Sequence, residues 1–377
     1  MKVLFVTDEC FQKTGGGTYT KALINIFKSV VGSENFYIFF PYSISMDDEC
    51  KDLNILEAPY AKPTQLIKIL NLLRDVPLTF TTQSIKVLES VIEEKQIDTI
   101  IIGRSFLGGA LKKLNIKKKN IKVITFFHDV IVVAIKERLM KEKKIEFLKN
   151  LPRLLSAYRN EKISLKLSDK TVVLNERDKT AFIENYGRVP DITIPIFCQD
   201  SFDINRLQKK QRDVCNLLFV GSYYWPNVKG IKWFVDNVMP LLTDEYKLYI
   251  VGKNFEKMKE KLESEKVFVV GTVDDLGEWY YKADIVVGPI FDGTGMKTKT
   301  VEALMYGKVY LGAEEALCGY RDIDDFLCLS ESEFANKIVK YYGISGETRY
   351  SEYARNVYEK YYSQEVISKS ISQLLNN

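Results

Sequence analysis

Two short stretches hold the residue types and spacings that could do chemistry. The first runs from Gly293 to Lys299 as GTGMKTK and continues into TVEAL before Gly307. A glycine-rich turn that opens a helix presents backbone N–H groups with no partner and the positive end of the helix dipole, so it suits an anion. Lys297 and Lys299 add mobile cations for a diphosphate, and Thr294, Gly295, Met296 and Thr298 line the same turn. Glu302 lies in the helix behind it. A carboxylate accepts two hydrogen bonds and matches the vicinal hydroxyls of a ribose, whereas by spacing alone Glu302 reads as an ordinary exposed helix residue.

The second stretch is in the first half. His128 is the only histidine and stands beside Asp129 where the apolar run VITFF ends. A lone histidine is commonly structural, but the end of a strand is also where a catalytic or sugar-contacting group would sit. Gly15, Gly16 and Gly17, between Thr14 and Thr18, follow the first apolar run and precede a helix predicted from about Tyr19. The triplet is not GxGxxG and reads equally as a ligand loop or a flexible connection. Asp322 and Asp324 form an acidic pair of the kind that can hold a divalent metal. Their place in an acidic loop before FLCLS reads as surface, so no metal site is expected. Tyr223, Tyr224 and Trp225 could stack on a sugar or base, yet packing beside Pro226 and Asn227, read as a turn and helix cap, is preferred.

These residues need a frame. In the first half KVLFVT, NFYIFF, DTIIIG, IKVITFFHD and KTVVLNE alternate with helix-length segments, and NLLFVG, YKLYIVG, KVFVVG, ADIVVG and KVYLG do so in the second. Such alternation predicts parallel sheets covered by helices. Ligands of such sheets bind beyond the carboxyl ends of the strands, and Gly221, Gly252, Gly271, Gly288 and Gly312 leave the backbone bare there. A turn-geometry role explains each glycine equally well. Ile231, Phe234, Val235, Val238, Leu241 and Leu242 share one helical face and are assigned to core.

With 377 residues, 46% of them apolar, the chain exceeds one ordinary core. We place an N-terminal domain at 1–195, a linker at 196–213 around the polar run QDSFDINRLQKKQRD, a C-terminal domain at 214–354 and a final helical tail at 355–377. The N-terminus reads as a first strand and not as a signal peptide, and no apolar run approaches the roughly 20 residues of a membrane span. Six cysteines lie scattered without a CxxC pair, which fits a reducing cytoplasm. Net charge is +4, but residues 101–170 carry 18 Lys and Arg against 6 Asp and Glu. That basic stretch reads equally as a solvated helix face or as a contact for anionic lipid at the inner face of the membrane.

Together these motifs resemble GT-B glycosyltransferases of family four. The run from FVGSYYWPNVKG through GTGMKTKTVEALMYGK is similar to that family's nucleotide-binding domain in order and spacing. The resemblance implies two facing Rossmann-like domains with a cleft between them, and a tail helix that crosses back to the first domain. It implies retaining transfer of a sugar from a nucleoside diphosphate, a UDP-sugar by preference, to a glycan, lipid-linked or protein-linked hydroxyl. The setting it implies is bacterial surface glycan or glycoconjugate synthesis, with neither metal nor cofactor. Gly221, Ser222, Gly271 and the 294–298 turn would bind the donor, and Glu302 would take the ribose. Gly15 to Gly17 and Asp129 would face the acceptor, and His128, Lys297 and Glu302 would form the catalytic set. Two departures stand out: Thr294 occupies the position of the family's first paired glutamate, and Ser222 follows Gly221 where many members have arginine. A non-catalytic sugar-nucleotide-binding subunit and a sugar-nucleotide 2-epimerase are the rival readings.

Overall fold

A computed structural model describes residues 1–9, 15–44, 52–112, 114, 116–141, 144–207, 214–344 and 349–376. The chain divides into two compact units, Met1–Pro195 with Ser368–Asn377, and Ile196–Ile367.

The first unit is built on a seven-stranded parallel sheet of β1 (Val3–Val6), β2 (Phe36–Phe40), β3 (Ile55–Glu57), β4 (Thr99–Ile102), β5 (Lys122–Phe127), β6 (Lys170–Val173) and β7 (Ile192–Thr193), in the order β3-β2-β1-β4-β5-β6-β7. Its helices are α1 (Gly15–Val31), α2 (Gln65–Arg74), α3 (Thr82–Lys95), α4 (Ile131–Lys141), α5 (Lys144–Leu167) and α6 (Glu176–Tyr186). Strands β1 and β4 are buried along their whole length, as befits central parallel strands covered on both faces. Stacked Phe27 and Phe36 extend that core under α1.

The second unit has a five-stranded parallel sheet of β8 (Cys215–Val220), β9 (Tyr246–Val251), β10 (Val267–Gly271), β11 (Ile285–Gly288) and β12 (Val309–Gly312), in the order β10-β9-β8-β11-β12. Helices α7 (Trp225–Asn237), α8 (Lys259–Leu262), α9 (Leu276–Lys282), α10 (Thr298–Met305), α11 (Glu314–Leu317), α12 (Glu331–Ile344) and α13 (Glu352–Tyr361) surround it, and α14 (Gln364–Asn376) ends the chain. In both sheets the chain reverses its direction of travel beside the first strand, between β1 and β4 and between β8 and β11. Open α/β sheets bind ligands at such reversals, beyond the strands' carboxyl ends.

Several expectations need correction. The helix after β1 begins at Gly15, so the glycine triplet forms its first turn, while Thr14 lies outside the described residues. Leu241 is 55% exposed, because α7 stops at Asn237 and a 3-10 turn containing Pro240 rotates it off the buried face. Residues 196–207 are not a free linker: Tyr358 donates to the Cys198 carbonyl at 3.0 Å and Arg355 to the Asp200 carboxylate at 3.0 Å. The remaining linker residues, 208–213, lie outside the described residues. Nor does the whole tail return to the first unit. Helix α13 packs on α10, whereas Ser368–Asn377 groups with the first unit, where Lys122 Nζ donates to the Leu375 carbonyl at 3.0 Å.

Candidate active site

The loop between β11 and α10 is the densest piece of chemistry in the second unit. Gly293 and Gly295 adopt φ of +124° and +70°, the left-handed region that other residues reach only with strain. That backbone carries the chain over the end of β11 and aims α10's first turn outward. Thr294 and Thr298 are half-buried on it, and the Met296 side chain is buried, so only the backbone of Met296 is open to a ligand.

Lys297 stands immediately before α10 and bends back over its own turn. Its Nζ donates to the Gly295 carbonyl at 2.6 Å, the Thr294 carbonyl at 3.2 Å and Glu315 Oε1 at 2.6 Å. Lys299 reaches the other way, towards β8. Its Nζ donates to Asn227 Oδ1 at 2.7 Å and lies 5.0 Å over the Phe219 ring. Burial, with the Lys297 charge nearby, pulls the Lys299 ammonium down to about 7, and Glu302 acts the other way.

Glu302 lies one turn into α10 and is only partly exposed; Tyr280 on α9 donates to its Oε2 at 3.0 Å. Burial pushes this carboxyl up to about 7, against the lowering effects of Tyr280 and Lys299. The reading of Glu302 as an ordinary exposed helix residue is thereby set aside. Gly221 follows β8 beside this group, and a Cβ there would stand 3.0 Å from the Asn227 amide and 3.1 Å from Lys299 Nζ. Ser222 is exposed next to it. Gly271 lies two strands away on β10, where its carbonyl accepts from the Gly252 N–H at 2.7 Å.

Two local expectations fail here. Asn227 caps no helix; its Nδ2 donates to the Ser222 carbonyl at 2.9 Å and its other side-chain atom holds Lys299. Tyr223, Tyr224 and Trp225 do not pack away but are 45%, 53% and 48% exposed. Asp322 and Asp324 are exposed as expected, with Asp322 accepting from Tyr361 at 2.6 Å and Lys360 at 3.0 Å.

In the first unit, His128 and Asp129 follow β5 directly. The imidazole packs edge-on against Tyr19 of α1 at 5.2 Å, and its covered Nε2 has no hydrogen-bond partner among the described residues. Burial, then the Arg104 charge, pulls this histidine down to about 3, so it is neutral at ordinary pH. Gly16, in the first turn of α1, faces the Glu9 carboxylate so closely that a Cβ would stand 2.2 Å from Oε1. Gly15 and Gly17 flank it in the same turn.

Sequence reasoning missed four residues of this unit. Arg104 reaches Asp8 at 3.6 Å and Glu9 at 3.4 Å, and all three stand just beyond the ends of β4 and β1. The strand-end argument that singled out His128 applies equally to them. Glu161, buried in mid-helix on α5, has no such signal. It accepts from the Ile131 N–H at 3.0 Å, from Ser105 Oγ at 2.5 Å and from the Tyr186 hydroxyl, and so fixes the start of α4 just after His128 and Asp129.

Two parallel-sheet Rossmann-like units with this strand order, and a glycine turn opening a helix at the reversal point of the second, define the GT-B class of glycosyltransferase structures. Comparison with solved structures agrees. A glycosyltransferase from Rickettsia africae is 17% identical with a TM-score of 0.69, covering 99% of this chain and 97% of that one. Anabaena HepE in complex with UDP and glucose is 14% identical over 100% of both chains, with a TM-score of 0.65. WaaG, a glycosyltransferase involved in lipopolysaccharide biosynthesis, is 16% identical over 99% of both, with a TM-score of 0.66. At these identities the likeness establishes the fold. No curated protein matches the sequence. Residues 215–343, within the second unit, match the family model for glycosyl transferases group 1, so that stretch carries the family's domain.

Proposed function

We propose that the protein transfers a sugar, with retained anomeric configuration, from a nucleoside diphosphate sugar to an acceptor hydroxyl. The observation that carries this reading is the grouping of a helix N-terminus, a bare Gly221, a lysine ammonium and the Glu302 carboxylate at one strand end. Glu302 would accept both ribose hydroxyls, and the first-turn amides of α10 would face the diphosphate. UDP is the preferred nucleotide, since HepE, which shares the fold, binds it.

In the reaction the acceptor oxygen forms its bond to the anomeric carbon on the face from which the diphosphate leaves. The C1–O bond to phosphate breaks, and the acceptor proton passes to the departing phosphate oxygen. Lysine charge and helix amides stabilise the leaving group in place of a metal. His128, held neutral, positions a sugar hydroxyl and transfers no proton, and Asp129 with Gly15 to Gly17 serves the acceptor side.

The setting we propose is surface-glycan synthesis on a glycan or lipid-linked acceptor at the cytoplasmic face of a membrane. No helix among the described residues is long and apolar enough to cross a membrane. On α2, however, Leu66, Ile69, Leu70 and Leu73 form an exposed apolar stripe at helical spacing, with Lys62 and Arg74 exposed beside it. That is the arrangement of a helix lying in a lipid interface.

The test is nucleoside diphosphate release from a panel of sugar nucleotides in EDTA, with wild type and Glu302→Ala. Metal-free release from one donor, lost in the variant, supports the reading. Tight binding without turnover against any acceptor would favour the non-catalytic subunit instead.

A further inference from the structure

Two lysines flank the start of α10, two positions apart, and they are not in the same state. The Lys297 ammonium has three N–H donors and three acceptors, two of them carbonyls of its own turn and the third the Glu315 carboxylate. Its charge is neutralised, and both partners of the Lys297–Glu315 pair are 14% exposed. Lys299 makes no ion pair among the described residues. Its ammonium has one neutral acceptor, Asn227 Oδ1 at 2.7 Å, with the Phe219 ring beneath it.

A cation enclosed without a contacting counter-ion is costly unless an anion joins it, and Glu302 acts on Lys299 only through space. The space for that anion is defined. Lys299 Nζ lies 3.1 Å from the point a Gly221 Cβ would occupy, so the bare glycine leaves the ammonium open at the reversal point of the sheet. Asn227 is oriented from its other end, by Nδ2 on the Ser222 carbonyl at 2.9 Å. Its oxygen is thereby committed to Lys299.

We propose that Lys299, and not Lys297, is the cation that takes the donor's diphosphate, with Asn227 as its positioning residue and Lys297 as a strut that holds the glycine turn in shape. This rests on the donor reading above and assigns the charge missing at Ser222, where the resembling family commonly places arginine.

The groups facing Lys299 are few. Lys297 and Glu302 act from α10 itself, Asn227 faces it from α7, Phe219 from β8, and Tyr280 of α9 reaches Glu302 and the Lys299 carbonyl at 3.5 Å. Lys229 on α7 is bound to Asp292 at 2.6 Å. Above neutral pH the free site loses its proton from Lys299, and a bound diphosphate restores it.

The experiment compares a nucleoside diphosphate with its nucleoside by titration calorimetry, using whichever of UDP, GDP or ADP binds wild type best. Both ligands share the Glu302 contact, so the ratio of their affinities isolates the phosphate site. Lys299→Ala is expected to collapse that ratio by about 10- to 100-fold while leaving nucleoside affinity in place. Asn227→Ala gives a smaller collapse, and Lys297→Ala lowers Tm while keeping the ratio. From pH 7 to pH 9 the wild-type ratio falls, and in Lys299→Arg, whose charge does not titrate, it stays level. Equal losses for both ligands in Lys299→Ala, or a collapse confined to Lys297→Ala, overturns the assignment. If no nucleoside diphosphate binds wild type, the donor reading itself fails and takes this one with it.

Discussion

Glu161 on α5 is fully buried and joins three elements through one carboxylate: Ser105 beyond β4, Ile131 at the start of α4 and Tyr186 at the end of α6. Burial is the largest influence on it and pushes its carboxyl from 4.5 up to about 7, although all three partners favour the charged form. A raised carboxyl means that the folded protein binds the proton more tightly than the unfolded chain. The associated stability is complete below pH 4.5 and is lost as pH rises through 7. A shift of that size corresponds to about 3 kcal/mol, at 1.36 kcal/mol for each pH unit. Glu161→Gln keeps the shape and an acceptor for Ile131 but cannot ionise. Urea unfolding of both proteins from pH 4.5 to pH 8.5 should show the variant gaining on wild type by up to about 3 kcal/mol, with the change spread between pH 4.5 and 7 and levelling off above that. Other groups titrate in the same window, Glu302 among them, but a site remote from the substitution cancels in the difference. Parallel stability curves for the two proteins would refute the reasoning, since they would mean that Glu161 ionises as freely folded as unfolded.

His128→Ala should lower kcat by about 100-fold while donor Kd changes little, because the neutral ring positions and does not titrate; a limb of the kcat–pH profile between pH 5 and 8 that vanishes in the variant would contradict this. Gly221→Ala sets a methyl 3.0 Å from Asn227 and 3.1 Å from Lys299 Nζ, so nucleoside diphosphate affinity should fall about tenfold with Tm nearly unchanged, as calorimetry and a thermal melt would show. Gly230→Ala instead drives a methyl to 1.7 Å from the Pro289 carbonyl in the packed seam of α7 against the β11 exit, and should cost about 3 kcal/mol in unfolding free energy.

How far the sequence disclosed this protein depends on the range of the interactions involved. Strands β1, β4, β8 and β11 are central and buried on both faces, so each holds a continuous apolar run ending near glycine or aspartate, legible from its own residues. Strands β3 and β7, three and two residues long, carry no such run, and only pairing with a neighbour makes them strands. The site divides in the same way. The glycine turn and Glu302 announce themselves locally, but Tyr280, which holds Glu302, comes from another helix 22 positions away. The division of labour between Lys297 and Lys299 is an intermediate case. Residues two apart on a helix start point about 200° around the axis from each other, so both cannot serve one ligand in the same way. Which one faces β8 is decided by tertiary contacts: Asn227 of α7 and Phe219 of β8 receive Lys299, whereas Glu315 receives Lys297. The spacing alone therefore separates the two lysines, and the choice between them rests on a residue 72 positions away.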